Sequence, residues 1–573
     1  MDNQRLFAWA AFGLLAFMTY QTWMLENREQ ATPAETTQGA TEAQPSSDAP
    51  GLPELPADSG GDGELPVVAP ADSDPTAAPA LPTDEADKTI RVSTDVLDLE
   101  INTRGGVLQA ATLKEYPVAK DQPDTLVQLL SPDFDFATMQ AGLIGGNNEP
   151  YFNAQLTSES DSFDLGDAEQ MTVVLSWTNE NGISIDKRLV FTRGSYRVDV
   201  EHVVTNNSSE SWRAADYTLL NRKGGEQERS MFDVDTYSFD GPIIYDGEKS
   251  EKTDYDDLVN APLEIRATNG WVGGIEHHFL RAIVPPEGTT NTLKITAKDG
   301  RTTSSVFGEA VNIAPGAQHT FTTTLFIGPK LQDQLEEIAP SLKLTVDYGF
   351  LTILSNPLFW LLSWVYGFVG NWGVAIIVVT ILIKLAFYKL TEKSGRSMAK
   401  MREIQPRMKA IQERYKDDRQ AQSQAMMELY KREKVNPAAG CLPILIQMPF
   451  FLAFYWVLLE SVEMRQAPFA LWITDLSSRD PYFILPIIMG AAMLFQQKLN
   501  PAPADPVQAR VMQIMPIMFT GFFAFFPSGL VLYWVTNTVL SIAQQWWVNK
   551  VVEEEGRAAK KNKSQKKAKK NDS

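Results

Sequence analysis

The chain has 573 residues, enough for several domains, and carries a net charge of −20 spread unevenly. Residues 389–434 hold thirteen Lys/Arg against seven Asp/Glu, the tail from Trp547 holds nine against four, and the remainder carries −31; such polarity suits a protein with faces in two compartments. A single cysteine, Cys441, excludes an intramolecular disulfide and any Cys-rich metal site, and neither HExxH nor a Gly-Lys-Ser/Thr phosphate loop occurs.

In chain order, LFAWAAFGLLAFMTYQTWM (Leu6–Met24) is apolar for about one bilayer thickness. The residues after it are not the small ones a signal peptidase needs, so residues 1–25 read as an uncleaved signal anchor. Residues 26–87 form an acidic linker: from Glu29 to Asp87 there are thirteen acidic residues and no Lys or Arg, amid Pro, Ala, Gly and Ser. Such a segment buries too little apolar surface to offset its ordering entropy.

Residues 88–335 alternate with period two, as in TIRVSTDVLDLEI, ISIDKRLVF and HTFTTTLFI, with hairpin signals at Asn181-Gly182 and Asp299-Gly300. This predicts one large antiparallel β-sandwich. The adjacent pair His277-His278, if on a strand, would point to opposite faces, which makes it a poor catalytic constellation.

A half-polar helix over 336–357, ended by Pro357, is expected to lie in a membrane interface, with packing on the β domain as the alternative. Residues 358–389 then form an apolar span that carries Lys384, with Thr380 and Tyr388 at steps of four on the same helical face. An ammonium in hydrocarbon is costly, so Lys384 either lines a wet cavity or snorkels to the span end five residues away. Residues 390–435 predict a helical hairpin, with Met398, Met401, Ile404, Met408 and Ile411 striping its first helix. It is expected to be mobile, with no apolar anchor beyond that stripe. Residues 436–546 hold further spans at 437–459, 481–495 and 511–545; the last is too long for one crossing and breaks at Phe526-Pro527-Ser528-Gly529.

Basic segments favour the cytoplasmic side. The hairpin and the basic tail, 547–573, must therefore be separated by an even number of crossings, so 436–546 supplies four. The fold class follows: a multi-domain protein with a polytopic core of six transmembrane helices, both termini cytoplasmic, and one large external β-sandwich.

The motifs NWGVAIIVVTILIK, SMAKMREIQPRMKAIQERY, KVNPAAGCLPILIQMPFFLAFYWVL, RQAPFALWITDLSSRDPYFILPIIMG and FPSGLVLYWVTN resemble the YidC/Oxa/Alb family of membrane protein insertases, in the form with a large periplasmic domain. The resemblance runs from about Ser355 to the tail. It implies a location in the bacterial inner membrane and a hydrophilic groove that is closed to the outside. A cationic residue, typically Arg, lines that groove, and Lys384 stands at its position here. Lys is a point charge without the bidentate fork of Arg. Thr380, Gln447, Tyr533, Trp534 and Asn537 are expected to line the groove with Lys384; for Gln447 and Asn537, interhelical hydrogen bonding is the alternative. The implied partners are nascent membrane proteins, the Sec translocon with its accessory subunits, the ribosome and signal-recognition machinery, and lipids, with a monomer as the working unit. No catalytic residue, metal or cofactor is expected. An ion-coupled transporter and a membrane-tethered carbohydrate-binding or -modifying protein are the alternative readings.

Overall fold

The computed structural model describes residues 88–571, apart from 121, 133–135, 146–153, 225–237, 417, 434, 436–441 and 500–505. The expected anchor (1–25) and acidic linker (26–87) lie outside the described residues.

The alternating segments pair into two sheets, of eleven and eight strands among the described residues. Pairing is antiparallel throughout except between Thr89–Ser93 and Ser162–Asp164. The pleat sorts residues by face: along Ile183–Thr192 every second residue is buried, namely Ile183, Ile185, Lys187, Leu189 and Phe191. Lys187 thus occupies a position that the pattern reserves for an apolar residue. Its ammonium donates to the carbonyls of Gly106 (2.7 Å) and Ala141 (2.8 Å). The Asp299-Gly300 turn joins Thr290–Lys298 to Arg301–Phe307, and both turn residues have positive φ (51° and 72°), as a type I′ hairpin requires.

Beyond the last strand the expected helix over 336–357 is not one helix. A short helix, Gln332–Ile338, gives way to a 3₁₀ segment, Pro340–Thr345, and a second, Gly349–Leu351. Pro340 cannot donate into the preceding turn, and Gly349 takes a left-handed φ of 61° with its N–H held by the Asp347 carboxylate at 2.7 Å. Leu342, Val346 and Tyr348 are buried in the same core as the sandwich, so this segment packs on the β domain.

Eight helices follow among the described residues: α1 Thr352–Val369, α2 Trp372–Ala386, α3 Tyr388–Arg414, α4 Arg419–Glu433, α5 Leu442–Glu460, α6 Ile484–Leu499, α7 Pro506–Phe523 and α8 Ser528–Asn571. The expected single span 358–389 is therefore two helices. Gly370 ends α1 in the left-handed conformation (φ 62°), and Asn371 starts α2 by accepting the Val374 N–H at 3.0 Å. These are the ordinary helix stop and start signals, side by side. Pro357, expected as a terminator, sits just after the first turn of α1, where it deletes one hydrogen bond. By length and composition alone, α1 is the one described helix able to cross a bilayer, or one of two if the pair α2–α3, bent by 69°, counts as one.

The hairpin α3–α4 closes on Ile404 and Met408 of the expected α3 stripe together with Leu429 of α4 and Val435 just after it. It is not free of the rest. Ala399 packs with Val548 and Val552 of α8, and Arg396 bonds both oxygens of Glu555 (3.0 and 3.1 Å). The expectation of a hairpin without an outside anchor is corrected by this seam.

The β domain grips the loop after α5. Both imidazoles of His277 and His278 donate Nε2–H to the Leu459 carbonyl (2.9 and 3.2 Å) and stack at 3.8 Å. They lie between strands, so the opposite-face argument does not apply to them. Buried Lys330 faces Glu460 at 3.7 Å, and Arg465 donates to the Pro117 carbonyl at 2.9 Å. Glu463 in this loop has one carboxylate oxygen sealed with no hydrogen-bond partner among the described residues. Burial pushes its pKa up to about 7. Between the ordinary carboxyl value near 4.5 and about 7 the folded chain holds a proton that the unfolded chain has released. Stability therefore falls as pH rises through that window, by roughly 3 kcal/mol if fully expressed. Glu463→Gln should remove this fall, read as the thermal midpoint in detergent from pH 4.5 to 7.5; an unchanged pH profile would refute the assignment.

Candidate functional site

The helices meet at two ends. At one, the loop 461–483 gathers the helix starts. Asn371 donates to the carbonyls of Pro468 (3.3 Å) and Phe469 (2.9 Å). Ser528 N–H donates to Ser478 O at 2.7 Å, and Gly529 N–H to Leu476 O at 2.9 Å. Phe469 lies directly over Gly373, where even a Cβ would collide with the ring. The Asp480 carboxylate, 1% exposed, accepts from Trp472 Nε1 (3.1 Å), Tyr482 N (3.0 Å) and Leu485 N (2.7 Å) and so orders the entry to α6. The turns after α5 and α7 and the start of α2 are thus tied together at the end that touches the β domain.

Near the other end a cleft opens between α2, α5 and α8. Thr380, Ile383 and Lys384 line it from α2, Phe387 from the bend, Leu390 and Thr391 from the start of α3, Ile446, Gln447 and Phe450 from α5, and Tyr533 and Asn537 from α8. Five of the six residues expected to line a groove meet here: Lys384, Thr380, Gln447, Tyr533 and Asn537. Trp534 does not. One position along from Tyr533, it points into an aromatic cluster with Phe451 (4.7 Å) and Phe523 (5.2 Å). On a helix, neighbours in sequence diverge by about 100°, and Tyr533 turns instead toward the cleft, stacked on Phe454 at 4.7 Å. Phe454 lies one turn beyond Phe450 on α5, on the side of the loop 461–483.

Polar side chains enter the cleft from each helix that lines it: Thr380 and Lys384 from α2, Thr391 from α3, Gln447 from α5, and Tyr533 and Asn537 from α8. The Thr380 hydroxyl donates back to the Ile376 carbonyl at 2.6 Å, and Thr380 is 1% exposed. Lys384 reaches across to α8, where its ammonium donates to Ser541 Oγ at 2.7 Å. Among the described residues Lys384 forms no ion pair. Tyr388, expected on the same face, falls beyond the bend: α2 ends at Ala386, and Tyr388 opens α3, 37% exposed. Phe387 takes its place in the cleft.

Sequence reading missed Ser541. The signal is its spacing: Ser541 follows Asn537 by four residues on α8, on the same helical face. A stem that reaches this hydroxyl holds the ammonium among polar groups, against the cost of leaving it in an apolar setting.

Two family models match the chain: the YidC periplasmic domain over residues 89–361 and the 60Kd inner membrane protein over residues 364–555. The membrane protein insertase YidC of Thioalkalivibrio sulfidiphilus is 45% identical over 97% of this chain and 100% of its own length. That of Alkalilimnicola ehrlichii is 45% identical over 100% of both, and that of Methylococcus capsulatus 44% identical over 96% of this chain and 99% of its own length. A YidC insertase crystal structure with its first transmembrane domain resolved aligns to 80% of this chain and 92% of its own, at 18% identity and a TM-score of 0.37.

Proposed function

The chain belongs to the YidC family of membrane protein insertases, with a periplasmic β-rich domain and a helical carboxyl-terminal region, and from that premise we propose how it inserts nascent inner-membrane proteins. The observation that carries the reading is the cleft in which polar groups of four helices gather around Lys384. A polar flank of a nascent protein must cross a region without water. Half-hydrated in this cleft, it meets a shorter apolar barrier, and Lys384 attracts its acidic residues. The client's hydrophobic segment then slides past α5 and α7 into lipid, which supplies the driving force without a nucleotide.

The membrane core comprises six spans: the amino-terminal anchor, α2, α5, α6, α7 and the first part of α8. The α3–α4 hairpin and both termini face the cytoplasm, where the cleft opens, and the β domain lies in the periplasm. In this reading α1 does not cross. Ser355 near its start bonds Ala453 O on α5 (3.4 Å), and its end adjoins Asn371 at the loop-side end of the bundle. One face of α1 presents Ile353, Trp360, Trp364 and Phe368, 91%, 66%, 52% and 75% exposed. A helix with such a face lies in the headgroup region. On this reading the interfacial helix is α1, 352–369, in place of the expected 336–357. The protein works as a monomer on ribosome-bound chains, alone or beside the Sec translocon, and its basic tail contacts ribosomal RNA or anionic lipid.

A photo-crosslinker at Gln447 or Asn537 should capture the polar flank of a stalled nascent membrane protein, and one at Trp534 should capture it at least several-fold less. Equal capture from all three positions would reject the cleft as the client path.

A further inference from the structure

Lys384 has two places to put its charge. Lys384 lies two residues before the end of α2, and its stem is long enough to reach the bilayer interface from there; the structure instead turns it across to α8. We propose that Ser541 is the positioning residue that keeps the Lys384 ammonium in the cleft, and that a neutral hydroxyl stands there so that the charge is held without being neutralised. The inference rests on the client path described above.

Two hydrogen bonds carry it. Ser541 Oγ donates its single proton to the Asn537 carbonyl one turn back, at 2.7 Å. That bond commits the hydroxyl proton to its own helix and leaves the oxygen's lone pairs for an incoming donor. The Lys384 ammonium takes that acceptor, also at 2.7 Å. The hydroxyl is therefore set as an acceptor before the ammonium arrives, and no rotor must be reoriented to receive it. An ammonium has three donors, and this contact uses one, so two remain for water or for a client carboxylate. A carboxylate at the same place would grip Lys384 harder, but the pair would be close to neutral, and a client's acidic residue would have to displace an internal partner. A hydroxyl fixes location and leaves the charge unspent. In a chain whose Lys, unlike Arg, has no rigid fork to orient it, such a holder supplies the orientation.

The test uses the full-length protein in proteoliposomes with one client in two versions, its translocated flank acidic or neutralised. Ser541→Ala removes the acceptor, and the cation's occupancy of the cleft should drop by about tenfold, the scale of one lost hydrogen bond to a charged group. Insertion of the acidic client should fall toward the level of Lys384→Ala, while the neutral client stays within about twofold of the parent. Ser541→Thr keeps a hydroxyl able to make the same back-bond and should restore the acidic client. Ser541→Asp should also lose the acidic client, because the charge is paired internally. Parent-like insertion of the acidic client by Ser541→Ala and Ser541→Asp, with Lys384→Ala defective, would overturn the positioning role while leaving the cleft intact. An equal loss for both clients in Ser541→Ala would overturn it too, by showing a purely structural role. Parent-like insertion by Lys384→Ala would instead reject the charged cleft itself.

Discussion

Lys384→Glu should all but abolish insertion of a client whose translocated flank is acidic, and Lys384→Ala should cut it strongly. A carboxylate about 5 Å from a client carboxylate, at an effective dielectric constant near 20, costs about 3 kcal/mol, or roughly a hundredfold in occupancy. Alanine removes the attraction without adding repulsion and should fall between the parent and Lys384→Glu. Lys384→Arg should stay near the parent, because charge and reach survive. The same client with a neutralised flank should differ by about twofold or less across all four proteins, since the effect acts on the flank's charge. Protease protection of the flank in proteoliposomes reads the series. If Lys384→Ala and the parent insert the acidic client equally, the ammonium is a snorkelling anchor and not part of the path.

Replacing residues 396–434 with a short Gly/Ser linker should leave the membrane helices assembled and abolish client insertion; full activity in that variant would remove the hairpin from the mechanism. The seam of α3 on α8 permits a finer version. Gly395 faces α8 closely: an added Cβ would stand 3.2 Å from Gln545 Oε1 and 3.3 Å from Val548 Cγ1. Gln545 is flexible and can give way, so Gly395→Ala should be tolerated. Leucine needs more room than one rotamer change supplies, and such overpacking costs about 1–3 kcal/mol. Gly395→Leu should therefore open the seam at Ala399, Val548 and Val552. Limited proteolysis within α3–α4 should then quicken by about tenfold and insertion should drop. Slow, parent-like cleavage of Gly395→Leu would show that the seam does not hold the hairpin.

Much of this architecture is local and therefore legible in the chain. Period-two alternation specifies which face of Ile183–Thr192 is buried, and Asp299-Gly300 specifies its turn type because only such residues take two positive φ values cheaply. The Met and Ile stripe of α3 names the contacts that α4 later makes. The cleft was legible in part: Lys384, Thr380, Gln447, Tyr533 and Asn537 converge as expected. What depends on direction in space was not. Tyr388 keeps helical spacing to Lys384 on paper, but a 69° bend at Phe387 carries it out of the cleft. Trp534 sits beside Tyr533 in sequence yet faces the aromatic cluster, because helix rotation and neighbouring rings, not adjacency, set its direction. Gly370-Asn371 is a stop and a start by residue type, but it sits inside an apolar run, where hydrophobicity hides a turn. Three contacts join residues about 150–350 positions apart: Ser541 under Lys384, His277 and His278 on the Leu459 carbonyl, and Arg465 on the Pro117 carbonyl. Local propensity carries no term for such pairs. Composition and pattern determine which segments are strands, helices and turns; which of their polar groups face one another is decided only when the packed elements bring distant donors within reach of buried acceptors that would otherwise go unpaired.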